Sequence, residues 1–225
     1  MNDHVLVLTG GTGTVGEQLL AALVPAWPGQ LCAVGRARPA RLPAGHDFLP
    51  CDLADPAATT AAAEHLADGL PITALVCAAG VDSRATLDDL TPDAFTACMQ
   101  VNCLAHLQLL RAASWLLPRP LPVVLVSSDV VGAPAPGTLI YAAAKAATEE
   151  AFRHAAIEAP APGIALLTVR LPDIGVPMRA AAPGPPPPPR TAGQRPNEAL
   201  AAAVAAITQF VTHEHTARTE EIWHA

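Results

Sequence analysis

The segment Thr9, Gly10, Gly11, Thr12, Gly13, Thr14, Val15, Gly16 constrains the fold more than any other part of the chain. An apolar strand over residues 5–8 precedes it, and an apolar helix is expected over about 15–27. Glycine opens backbone dihedrals closed to other residues and lets N–H groups come close to a ligand. A helix N-terminus directly after the turn adds unpaired N–H groups and the positive end of a dipole. Gly11, Gly13 and Gly16 are spaced G-x-G-x-x-G in a strand–turn–helix context, the arrangement that seats a dinucleotide pyrophosphate. The chain should therefore open with a nucleotide-binding βα unit.

The rest of the chain continues that pattern. Further strands are expected over 31–34, 47–49, 73–77, 123–127, 165–169 and 220–223, and helices over 55–68, 91–116, 139–158 and 197–212. Asp55 followed by Pro56, and Thr91 followed by Pro92, each pair an N-cap residue with proline at the first helical position. Continuous apolar strands separated by helices predict a parallel sheet covered on both faces. The fold class is α/β, a doubly wound Rossmann-type sheet of about seven strands in a single domain over 1–225. Within it, 178–196 is proline-rich, with prolines at 183 and 185–189, and reads as an extended, mobile loop near the substrate site.

Composition narrows the partners. With a net charge of -7 and scattered arginines, nucleic acid is disfavoured. No apolar run reaches the length of a membrane span. Cys32, Cys51, Cys77, Cys98 and Cys103 have no CxxC spacing and read as small buried hydrophobes in a reducing compartment. Residues 1–4 have no basic, signal-like character, so a cytoplasmic protein is expected. Charged residues make up 15% of the chain and hydrophobic ones 51%, so the helix surfaces are largely alanine and suit a homodimer or homotetramer. His213 and His215 flank Glu214 with no third ligand in view and read as a solvated turn, so no metal is expected.

The chemistry centres on a pair. Tyr141 and Lys145 are the chain's only tyrosine and only lysine, and they stand four apart, one turn on a helix face. A cation at ~4 Å in an effective dielectric of ~20 is worth ~4 kcal/mol. That would lower a phenol by at most about three pK units and fit it for acid/base work near neutrality. At the end of the second strand stands Arg36, where a basic residue accommodates a ribose 2′-phosphate. This favours NADP(H) over NAD(H). Asp52 could accept from the adenine amino group or simply begin a turn.

These motifs together resemble the short-chain dehydrogenase/reductase family over nearly the whole chain. Its marks stand as the turn from Thr9 to Gly16, Cys51-Asp52-Leu53, Cys77-Ala78-Ala79-Gly80, Val101-Asn102, Ser127-Ser128 and the pair Tyr141/Lys145. The resemblance implies that Ser128, Tyr141 and Lys145 are catalytic, with Asn102 supporting them through a water. It also implies that Leu53, Ala78, Ala79, Gly80, Pro172 and Ile174 line the cofactor site. Some positions depart from the family pattern. Thr14 stands where many members have glycine, a spelling similar to ketoreductase domains of polyketide synthases. Cys77-Ala78 replaces a usual Asn-Asn pair and removes a side chain that braces the strand. Residues 171–178 replace a Pro-Gly and lack a threonine that normally touches the nicotinamide end. The expected function is NADPH-dependent reduction of a ketone or aldehyde carbonyl on a small molecule. The alternatives are a non-redox isomerase, dehydratase or cyclase on the same scaffold, or a non-catalytic NADP(H)-binding protein.

Overall fold

The computed structural model describes residues 4–69, 71–113, 117–174, 178, 196–217 and 219–224. Seven strands form one sheet: β1 (Val5–Thr9), β2 (Gln30–Gly35), β3 (Asp47–Pro50), β4 (Ile72–Cys77), β5 (Leu121–Ser128), β6 (Ile164–Leu171) and β7 (Thr219–His224). Their order is β3-β2-β1-β4-β5-β6-β7, and every neighbouring pair is parallel. The order reverses between β1 and β4. At such a point the crossovers leave in opposite directions and open a crevice beyond the strand ends.

Alternate strand residues feed two cores, as the period of two requires. Val5, Val7, Leu75, Cys77, Val123 and Leu125 face one way. There they meet α2 (Pro56–Asp68), α4 (Ala105–Arg111) and α5 (Leu139–Glu158) through Leu66, Leu109, Leu110 and Phe152. Leu6, Leu8, Val76, Val124 and Val126 face α1 (Thr14–Ala26) and α6 (Pro196–Thr212), meeting Leu19, Leu23, Ile207 and Phe210. Burying a side chain such as Phe152 contributes roughly 3 kcal/mol. All five cysteines are buried free thiols. Among the described residues, no helix is long and apolar enough to cross a membrane, and no cluster of metal-ligating side chains occurs.

Both cap-and-proline signals hold. Asp55 accepts from Ala57 N at 2.8 Å and Ala58 N at 3.2 Å, and Thr91 accepts from Ala94 N at 3.2 Å. The helix expected over 91–116 is not continuous. It comprises α3 (Pro92–Met99), a π-helical turn (Gln100–Leu104) and α4, which ends at Arg111. A π turn accommodates one extra residue, and here it turns the buried Asn102 side chain toward Val81. Residues 114–116 lie outside the described residues, as does nearly all of the proline-rich segment, 178 and 196 excepted.

Candidate active site

The glycine turn is shaped by close backbone packing. Gly10 has φ +75, and a Cβ there would lie 2.6 Å from Ala79 N. A Cβ on Gly11 would meet Pro39 Cγ at 2.8 Å, and one on Gly16 would overlap the Gly10 carbonyl. Gly13 differs: its φ is -83, and the nearest atom to a Cβ would be Gly10 O at 3.4 Å. Gly10, Gly11 and Gly16 therefore hold the turn, whereas Gly13 and the exposed Thr12 and Thr14 present its open side. Val15, half-buried, packs under the first turn of α1. The leading N–H groups of that helix have no carbonyl within it to bind. Beside the turn is a small depression lined by Gly11, Thr12, Val34, Gly35, Pro39 and Phe48. A tight glycine bend, an open helix end and an adjoining hollow fit a dinucleotide.

Thr9 is fully buried behind the turn and faces inward. Its hydroxyl oxygen accepts from Ala78 N at 3.1 Å and Ala79 N at 3.0 Å, tying the ends of β1 and β4. Its proton is then free to go to His106 Nε2 at 3.2 Å. That leaves the imidazole proton on Nδ1, which donates to Asn102 O at 3.2 Å. Burial pushes the His106 pKa down to about 3, so the ring stays neutral.

At the other margin, Arg36 is exposed just past β2, while Arg38 is engaged with Pro43 O and His46 O at 3.1 and 3.0 Å. Asp52 accepts from Ala54 N at 3.1 Å within a turn, and the buried Leu53 offers its carbonyl to Gln100 Nε2 at 3.1 Å. Pro172 and Ile174 are half-buried just beyond β6, at the same end of the sheet as the turn; Gly175 lies outside the described residues.

Ser128, Tyr141, Lys145 and Asn102 come together next to Gly80. A Cβ on Gly80 would lie 2.9 Å from Asn102 Oδ1 and 3.5 Å from Lys145 Nζ, so glycine is needed for this close approach. The buried face of α5 contains Tyr141, Lys145, Thr148, Glu149 and Phe152. Ser128 ends β5; its hydroxyl donates to Asp129 Oδ1 at 3.3 Å and accepts from Val130 N at 3.4 Å, and its side chain favours the ionised Tyr141 phenol. Lys145 Nζ donates to Val126 O at 2.9 Å and stands 5.7 Å from the Tyr141 ring centroid. Asn102 Nδ2 donates to Val81 O at 2.9 Å and to Cys98 O at 3.0 Å, and its Oδ1 accepts from Val81 N at 3.3 Å. The Asn102 carbonyl, released by the π turn, also lies 2.9 Å from the Thr148 hydroxyl.

The electrostatics correct one expectation. Lys145 alone was expected to bring the phenol close to neutrality, but burial dominates and pushes Tyr141 up. Asp82 and Cys98 add to that, and Arg84 and Ser128 oppose it. The Lys145 ammonium is aimed at a strand carbonyl. Its own pKa is pushed down to about 8 by burial, with Cys98, Cys77 and Glu149 acting the other way. Glu149, one turn beyond Lys145, accepts from Ser127 Oγ at 2.5 Å and from Arg170 Nη2 at 2.6 Å.

Several participants escaped the sequence reading: His106, Thr148, and Glu149 with Arg170. Helical spacing carried a signal for three of them. His106 is four residues past Asn102, and Thr148 and Glu149 continue the Tyr141/Lys145 face.

The short chain dehydrogenase family model matches residues 4–184. Erythronolide synthase EryA3 of Saccharopolyspora erythraea is 34% identical over 176 residues; the match covers 71% of this chain and 5% of that much longer protein. Among solved structures, the alcohol dehydrogenase of the archaeon Thermococcus sibiricus complexed with 5-hydroxy-NADP superposes with a TM-score of 0.71 at 19% identity, covering 97% of this chain and 95% of that one. The NADPH-bound carbonyl reductase from chicken fatty liver gives 0.63 at 19% identity, covering 74% and 78%. The structural likenesses establish the fold, and the family match adds the lineage. The chain belongs to the short-chain dehydrogenase family of oxidoreductases.

Proposed function

We propose that this protein is an NADPH-dependent reductase acting on a ketone or aldehyde carbonyl, reversibly with alcohol oxidation, and that Tyr141 is its general acid/base. The observation that carries this reading is the convergence of Ser128, Lys145 and Asn102 around a buried Tyr141, at the end of the sheet that also holds the glycine turn. The dinucleotide, when bound, supplies the hydride. The turn from Gly10 to Gly16 and the start of α1 would hold its pyrophosphate, and Arg36 would meet a 2′-phosphate. Asp52, Leu53, Ala78, Ala79, Gly80, Pro172 and Ile174 would line the remainder.

Tyr141, kept neutral by burial, donates its proton to the carbonyl oxygen as that oxygen becomes an alkoxide. The Ser128 hydroxyl hydrogen-bonds the same oxygen and holds it in line. Lys145, mostly protonated below about pH 8, replaces the proton on Tyr141, and Asn102 holds a water on that path. NADPH absorbance followed with a panel of small ketones and aldehydes tests the activity; oxidation of NADPH with at least one is expected. Dissociation constants for both cofactors test the preference, and NADH binding as tightly as NADPH would defeat the role of Arg36.

The altered segment after β6 supports a second reading, a non-redox isomerase, dehydratase or cyclase. Product formed without net cofactor change would establish it. Exposed Phe95, Leu104 and Leu139 support a homodimer or homotetramer, which light scattering would contradict by finding monomer only. The buried free thiols support a cytoplasmic location.

A further inference from the structure

The loop after β4 carries a charged pair unaccounted for by proton transfer to the carbonyl. Asp82 is 5% exposed and ion-paired with Arg84, whose Nε contacts Asp82 Oδ2. The other carboxylate oxygen, Oδ1, is buried without a hydrogen-bond partner among the described residues. A carboxylate accepts at both oxygens, and one left unsatisfied in a dry site is costly.

The fold holds this pair beside Tyr141. Val81, just before Asp82, is clamped at both backbone groups by the Asn102 side chain. Ala85, just after Arg84, donates from its N to Gly137 O at 3.1 Å and bridges Thr138, three residues before Tyr141. Ala85 also packs in one cluster with Cys98, Ile140 and Tyr141. Residues 82–84 are thereby pinned at both ends beside the phenol. Among charged groups, Asp82 has the largest effect on Tyr141.

We propose that Asp82 Oδ1 is a substrate-binding acceptor, taking a hydrogen bond from a hydroxyl carried next to the reacting carbonyl, so that the substrates are hydroxyketones and the products vicinal diols. The donor is neutral rather than cationic, because Arg84 already neutralises the carboxylate. An anionic group is disfavoured by Asp82 itself. Arg84 acts as a positioning residue that fixes the carboxylate and leaves Oδ1 for the ligand.

This inference rests on the reductase reading, and the test separates the two. Hydroxyacetone, methoxyacetone and butanone have similar bulk, and only the first offers a donor. With NADPH and wild-type protein, kcat/KM for hydroxyacetone should exceed that for methoxyacetone by roughly tenfold or more, the scale of a hydrogen bond to a charged group. In Asp82→Ala that ratio should fall to within about twofold. Asp82→Asn, nearly isosteric, should give an intermediate ratio and serves should the alanine variant not fold. A wild-type ratio near one, or the same ratio in the variants, overturns the role of Asp82 while leaving the reductase intact. If wild-type protein reduces none of the three, the reductase reading fails for such ketones. The acceptor is then read from thermal protection of the NADP⁺ complex: hydroxyacetone but not methoxyacetone should raise Tm in wild type and not in Asp82→Ala. Absence of that difference overturns the proposal.

Discussion

The glycine turn and the tyrosine cluster share one end of the sheet, yet they are built in opposite ways. The turn is contiguous, made almost wholly of backbone, and open on the side where Thr12 and Thr14 are exposed. The cluster draws Asn102, Ser128, Tyr141 and Lys145 from three separate elements and buries them all. A backbone site works through shape and unpaired N–H groups, so its chemistry hardly depends on surroundings. A buried side-chain site works through proton affinities, which every neighbouring charge and the loss of solvent move. That is why Tyr141 and Lys145 keep their expected positions while their expected electrostatics change.

Four experiments would break or sharpen this contrast. The largest effect should come from Tyr141→Phe, which should lower turnover at least about a hundredfold while leaving NADPH binding intact. Steady-state kinetics beside a cofactor titration would check this, and retained turnover would remove Tyr141 from the chemistry. Gly10→Ala should come next. A left-handed dihedral plus a clash with the Ala79 backbone should cost at least about 2 kcal/mol in urea unfolding and weaken NADPH binding.

The third is a pH profile. With Lys145 titrating at about 8, the ammonium is present below that value and lost above it. Reduction should therefore decline as pH rises through about 8, by roughly tenfold per further unit once the group is mostly deprotonated. A flat profile to pH 10 would detach Lys145 from proton supply. The smallest effect belongs to Gly13→Ala. Its ordinary φ and the 3.4 Å clearance should keep the change in stability within about 0.5 kcal/mol, in contrast to Gly10 on the same turn. A loss as large as that at Gly10 would mean that the turn is uniformly strained.

Much of this architecture was legible in the residues. The cap-and-proline pairs at Asp55 and Thr91 marked two helix starts, because capping is decided within one turn of chain. Helix α5 was read with its observed limits because its surroundings punctuate it and its interior is rich in alanine. The break at Asn102 was harder to see. A π turn depends on what the freed carbonyl and side chain find across the core, here His106, Thr148 and Val81. Thr9 belongs to the cofactor motif by position, but its hydroxyl points into the protein, where Ala78 and Ala79 wait some seventy residues away in the chain.

Alone, the chain's pattern of apolar runs, caps and glycines determined a parallel doubly wound sheet with a nucleotide turn at its first crossover, since each signal acts over a few neighbouring residues. Tertiary structure decided which groups surround Tyr141, which way Lys145 points, and that Asp82 is buried with one oxygen unpaired among the described residues. Those outcomes follow from desolvation and from long-range contacts, and neither is encoded in local spacing.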